Sequence, residues 1–185
     1  MEQSRKIHPH MFNLLLAMAS MTMVFIALTS AYLVRRAAGN WLEFKLPDWF
    51  LWSTVTIIIT SITLEGAKRF YKKQQEGGYK GMLVLSTLLG LGFIALQYAG
   101  WQEMYSWGIE LTGNPSGSFV YVISGLHAAH VIGGLTALGI ALVHAFSLPF
   151  ELRKFRLRSL SITTAYWHFL GWFWNYLLVF LILHR

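Results

Sequence analysis

From Leu111 to Phe150 the chain contains no Asp, Glu, Lys or Arg. Four further charge-poor stretches share that character, so the segments to be housed are Phe12 to Val34, Trp49 to Phe70, Gly81 to Gln102, Ser118 to Phe146 and Ser159 to Leu183. A hydrocarbon core of about 30 Å is crossed by roughly 20 apolar residues of helix. The 185 residues, 55% apolar, 16% aromatic and only 12% charged, supply five such crossings and little else. The expected fold is therefore all-α: a single membrane domain over residues 1–185 with helices at about 12–34, 49–70, 81–104, 118–146 and 159–183. The second crossing loses its uncharged character at Leu64 and spans only if Glu65, Lys68 and Arg69 lie at the interface. Trp41, Trp49, Trp52, Tyr71, Trp101, Tyr105 and Trp107 gather at segment ends, where amphipathic rings favour the headgroup level.

Orientation follows from the basic residues. With the amino terminus cytoplasmic, that side holds Arg5, Lys6, Lys68, Arg69, Lys72, Lys73, Lys80, Arg153, Lys154, Arg156 and Arg158, and the other holds Arg35, Arg36, Lys45 and Arg185. This bias places the amino terminus inside and the carboxyl terminus outside. The net charge of +7 thus reads as a topology signal with attraction to anionic lipid. Nucleic-acid binding is excluded, because the basic residues flank spans and form no aromatic-interleaved surface. The first apolar run exceeds a secretory h-region and meets no clear cleavage pattern, so it reads as a retained helix. The chain has no cysteine, which removes disulfides, iron–sulfur clusters and thiolate nucleophiles. The Gly-, Asn- and Ser-containing stretches 74–81 and 111–118 are the expected flexible loops.

Chemistry inside the spans rests on histidine. His127 and His130 lie on adjacent turns of the fourth helix, about 60° apart in projection, and His144 falls near the His130 face. His168 lies in the fifth helix. Two nitrogens can begin a metal site or a proton relay, but a metal site ordinarily needs three or four ligands with further support. The surrounding residues favour a structural, hydrogen-bonding role. Gly125, Ala129 and Gly133 form a small-residue ridge at four-residue spacing, a pattern that lets helices approach closely. Thr164, His168, Gly171 and Asn175 make a polar stripe expected to face protein. Ser53, Thr56, Thr60 and Thr63 make a weaker one, whose hydroxyls can also bond to their own helix. No carboxylate lies in the middle of a span, and Glu65 has Lys68 and Arg69 at i+3 and i+4 as interfacial partners. An ion pathway, a nucleophile–base pair and a phosphate loop are all lacking, so independent catalysis is not expected.

From Phe12 to Arg185 the chain resembles subunit III of the haem-copper oxidases, in the five-helix bacterial form. The resemblance is carried by "AYLVRR" closing the first helix, Gln97 and Trp101 in "LQYAGW", "SGLHAAHVIGG" and "AYWHFLGWFWNYLL". It implies a non-redox subunit in the bacterial cytoplasmic membrane that packs beside the haem-copper catalytic subunit I and other oxidase subunits. Haem and copper would reside in those partners and none in this chain. It also implies phospholipid held in a cleft, support of proton uptake and turnover stability, and structural roles for His127, His130, His168, Asn175, Gln97 and Trp101. The resemblance puts His144 where longer relatives set an arginine against a lipid phosphate, and Arg153 and Lys154 are further headgroup candidates. Two family glutamates align with Met21 and Gly100. Alternatives are an accessory membrane subunit associated with nitric oxide reductase, and an independent channel or transporter.

Overall fold

Each apolar stretch forms one helix in the computed structural model, which describes residues 9–184. The helices are α1 (Pro9–Ala37), α2 (Trp49–Lys72), α3 (Glu76–Ser106), α4 (Pro115–Ser147) and α5 (Lys154–Leu183). All five are long and apolar enough to cross a membrane. Arg5, Lys6 and Arg185, which enter the charge count, lie outside the described residues.

The helices run beyond the expected spans, and two glycine-containing loops shrink as a result. α3 begins at Glu76, so Gly77 and Gly78 belong to its first turn and not to a flexible connection. The reason is a close approach: a Cβ on Gly78 would lie 2.7 Å from the Phe70 ring. The turn is left to Lys73, Gln74 and Gln75, with Gln74 in the left-handed region at φ 56°. Similarly, α4 starts at Pro115, inside the expected 111–118 loop. Asn114 caps it by accepting from the Ser116 amide at 3.0 Å, and proline fits the first helical position because that turn has no use for its missing N–H.

α2 and α3 form an antiparallel hairpin, and α2, α3, α4 and α5 pack in a ring. α1 lies outside this ring, against α4 and α5 alone. Its inward residues are Met21, Phe25, Thr29 and Tyr32, all buried and spaced three or four apart, while Met23 and Val34 are exposed. Exposed apolar side chains on this scale suit acyl chains and would not suit water.

α5 is seated through Trp167, which is fully buried. A Cβ on Gly134 would lie 2.7 Å from this indole and one on Gly90 3.1 Å from it. The glycines of α3 and α4 thus form the notch that receives the ring. Within this chain, the ridge expected at Gly125, Ala129 and Gly133 is not the surface on which the helices close. Ala129 and Gly133 are exposed, and a Cβ on Gly133 would meet only the Tyr166 hydroxyl at 4.0 Å. Ala128 and Gly134, one residue further around the helix, face the core instead.

Both ends of the bundle are strapped by side chains. At one end Asn114 accepts from the Leu42 amide at 3.2 Å and donates to the Asn40 carbonyl at 3.1 Å, while Ser116 donates to the Leu42 carbonyl at 2.8 Å. At the other, Tyr71 donates to the Glu151 carbonyl at 2.7 Å and accepts from the Arg153 amide at 3.2 Å. The notch yields a prediction: Gly134→Val forces the indole out and should destabilise the purified protein by about 1–3 kcal/mol, whereas Gly133→Val should be near neutral in thermal unfolding in detergent. Equal effects would show that Trp167 is not the constraint.

Candidate functional site

Residues of α1, α3 and α5 converge on His127 of α4. Its ring is fully buried and stacks on Trp174 with centroids 5.1 Å apart and planes 30° apart. Phe93 stands at 5.9 Å and Phe25 at 6.4 Å, both in edge geometry. Neither ring nitrogen has a hydrogen-bond partner. His127 therefore acts as one aromatic ring among four, contributed by α1, α3, α4 and α5.

His130 is anchored differently. Its Nδ1 lies 2.7 Å from the Leu126 carbonyl, so Nδ1 carries the proton and donates to its own helix. Phe25 packs at 5.9 Å, and the backbone carbonyl of His130 accepts from the Tyr166 hydroxyl at 3.2 Å. The two histidines share one helix and one phenylalanine but present no common ligand position. Among the described residues, no group of three or more His, Asp or Glu side chains forms a cluster able to hold a metal ion.

His168 stands apart. With Ser61, Gly171 and Asn175 it lines a groove of about 480 Å³ between α2 and α5, walled by Ile58, Ile62 and Trp172. Trp172 is 79% exposed. Three members of the expected α5 stripe are thus together in one place, while Thr164 turns into the core and back-bonds to the Leu160 carbonyl. Asn175 donates to the Gly171 carbonyl at 2.8 Å.

Gln97 and Trp101 cross-link helices. Gln97 Nε2 donates to Ser53 Oγ at 2.9 Å, and Trp101 Nε1 donates to Ser124 Oγ at 2.9 Å. Trp174 Nε1 donates to Thr54 Oγ1 at 2.9 Å, and Thr63 and Ser86 hydroxyls meet at 2.8 Å. Of the α2 stripe, Ser53 and Thr63 make these interhelical bonds, whereas Thr56 and Thr60 bond only back to their own helix. Sequence reasoning missed Thr54, Tyr71, Asn114 and Trp167. Asn before Pro was a legible capping signal for Asn114, but nothing local announces the others.

At Met21 and Gly100, which the resemblance sets against family glutamates, the space is filled. Met21 is buried against the core, and a Cβ on Gly100 would lie 2.9 Å from Phe50, so the phenylalanine takes the room a larger residue would need. Of the headgroup candidates, Arg153 is paired with Glu151 at 2.8 Å. His144 and Lys154 are exposed. Glu65 is paired with Lys68 at 2.7 Å, as its spacing implied.

These features define a multi-pass helical membrane protein whose buried polar side chains fasten helices to one another. The family model described as "Cytochrome c oxidase subunit III" matches residues 43–184, and the chain belongs to that family. A relative in Nocardia farcinica, "Probable cytochrome c oxidase subunit 3", is 26% identical over 170 residues, covering 85% of this chain and 79% of its own. "Cytochrome c oxidase subunit 3" of Synechocystis is 24% identical, covering 95% and 77%. "Probable quinol oxidase subunit 3" of Staphylococcus saprophyticus is 27% identical, covering 72% and 65%.

The environment of His127 predicts an unusual tolerance. Because its nitrogens bond to nothing, His127→Phe should unfold thermally within about 1 kcal/mol of the parent, while His127→Asp should cost about 3 kcal/mol or more by burying an unpaired charge. A collapse of the phenylalanine variant would mean that a ring nitrogen holds something essential.

Proposed function

We propose that this chain is the non-redox subunit III of an aerobic haem-copper terminal oxidase in a bacterial cytoplasmic membrane. It packs beside catalytic subunit I, and oxygen is reduced at haem and copper held by the partner subunits. The observation that carries this reading is the setting of the intramembrane histidines: His127 is enclosed by rings and His130 is bonded to its own helix, which supports structural roles for both. The half-buried stripe of His168 and Asn175 supports contact with another protein, because polar groups at membrane depth face bundle interiors or partners. Cytochrome c is the electron donor favoured by the names of the relatives. The amino terminus lies inside and the carboxyl terminus outside.

The chain's contribution is mechanical. It covers a flank of the catalytic subunit, sustains proton uptake there and lengthens working life under turnover. Phospholipid is held at the cytoplasmic end, with His144 and Lys154 offering headgroup donors, since the Arg153 guanidinium is already engaged by Glu151.

The test is purification of the tagged chain in mild detergent. A haem-copper catalytic subunit should co-purify, and a reduced-minus-oxidised spectrum should show haem in the complex. The separated subunit should show no haem bands and less than about one-tenth equivalent of copper or iron by elemental analysis. Single cysteines at Gln75 and Lys154 should label from the cytoplasmic side and one at Asn114 from outside. Stoichiometric metal on the separated chain, or ion flux by the chain alone in liposomes, would overturn the proposal.

A further inference from the structure

The ring of α2, α3, α4 and α5 has seams on every side. α1 packs against α4 and α5, and the His168 groove occupies the α2–α5 seam. Across the ring from that groove, the α3–α4 seam carries a pocket of about 490 Å³ beside the connection between its two helices. Tyr98, Trp101, Tyr105, Tyr121 and Glu110 line it, and no Lys, Arg or His does. Among the described residues Glu110 has no ion-pair partner. Two donors of the lining are engaged inside the chain. The Trp101 indole donates to Ser124, and the Tyr121 hydroxyl donates towards the Trp101 and Ile109 carbonyls at 3.1 and 2.9 Å. What the pocket offers is ring faces and a carboxylate, a combination that attracts a cation and repels an anion.

An apolar groove prolongs this pocket. It measures about 350 Å³, shares Trp101, Leu111 and Tyr121 with the pocket and continues along Val122, Gly125 and Leu126. At 1.5 Å per residue, Leu126 lies roughly 8 Å beyond Tyr121, towards the middle of the span. Gly125 leaves the floor open, since a Cβ there would meet only Trp101 at 4.0 Å. One turn deeper Ala129 is exposed, so another helix has room to approach closely. The occupant that fits is apolar along its length and cationic at one end. A metal ion or a small amine would use the pocket and leave the groove unfilled. An amine lipid would bring a phosphodiester, for which the lining has no basic partner.

We infer that the α3–α4 seam docks a transmembrane helix of a partner subunit, one that carries a lysine or arginine at the end level with the α3–α4 connection. A basic side chain at the end of a span reaches headgroup level through its apolar stem. Trp101 and Tyr105, in the final turns of α3, stand at that level. The cation lies among the four rings beside Glu110, and an apolar side chain of the same helix lies over Gly125. The inference rests on the reading of this chain as one subunit of a membrane complex, and it adds a second docking flank to it. A helix seated here cannot also reach His168 across the ring, so the chain lies between two partner helices.

The test uses the tagged full chain purified with its partners, with a benzophenone amino acid in place of Val122 or, on the opposite flank, of Trp172. Both positions are exposed. The haem spectrum of the purified complex decides whether the chain sits in an oxidase, independently of which flank is occupied. On illumination the Val122 probe should cross-link to a transmembrane peptide with Lys or Arg in its terminal turn, and that peptide should differ from any captured by the Trp172 probe. Glu110→Gln, in an exposed connection, should lower the Val122 yield roughly two- to fivefold. Glu110→Lys should lower it roughly tenfold or more by like-charge repulsion, and neither variant should change the Trp172 yield. Exchanging the partner's basic residue for glutamate should restore the yield in the Glu110→Lys chain. An adduct with lipid alone, or no adduct, overturns the inference. So does a captured peptide without a terminal basic residue, a yield indifferent to both Glu110 variants, or capture of the same peptide from both flanks.

Discussion

Trp167 fills the space that Gly90 and Gly134 leave between α3 and α4, and the rest of the bundle is arranged around that insertion. In hydrocarbon the hydrophobic effect does not press helices together, so association rests on close packing and on hydrogen bonds between helices. One large ring in a notch of two glycines provides the first. It brings α5 against α4 and α3 at once, and about two turns further along α5 Trp174 reaches the His127 stack and Thr54 of α2. The ring of four helices is closed by neighbouring indoles of one helix.

Hydrogen bonds complete the arrangement in a particular way. Serine and threonine hydroxyls of α2 and α4 donate back to their own helix carbonyls and accept from a longer side chain of a neighbour, as Ser53 does between the Phe50 carbonyl and Gln97. Ser124 does the same between the Val120 carbonyl and Trp101. Each hydroxyl is thereby saturated, and each cross-link costs no unsatisfied group on its small partner. Exceptions are His127, the Trp41 and Trp167 indoles and the Gln97 carbonyl, which leave buried polar atoms without a partner. His127 is accommodated as a ring, and its nitrogens remain the price of placing an imidazole where a phenyl would also pack.

The five crossings were legible because the absence of charge is a local property that no tertiary contact can reverse. The ends were less so. Glycines at 78 and 117 read as loop formers, yet they permit close approach, and that use depends on Phe70 and Ile109 arriving from other parts of the chain. The small-residue ridge shows the same limit. Periodicity correctly placed Gly125, Ala129 and Gly133 on one face, but which face turns inward was settled by Trp167, and the answer lay one residue away at Gly134. The structural reading of the histidines rested on the small-residue ridge and the polar stripe around them. The aromatic enclosure of His127 was illegible, because it is assembled from Phe25, Phe93 and Trp174 on three separate helices.

The isolation of α1 bears on how the chain is made. Apart from its own hairpin loop, α1 touches only α4 and α5, and its last tether, from the Tyr32 hydroxyl to the His184 carbonyl, joins residues 152 positions apart. Segments emerge from the ribosome in order, so α1 enters the bilayer long before any of its partners exist, while α2 and α3 can pair as soon as both are inserted. Throughout that interval Phe25 and Tyr32 face lipid, and the connection to α2 has no Asn114 to hold it. Docking of α1 is therefore the closing event of biogenesis. A truncated chain lacking α5 would leave α1 held by α4 alone, without its contacts to Phe173, Tyr176 and Phe180.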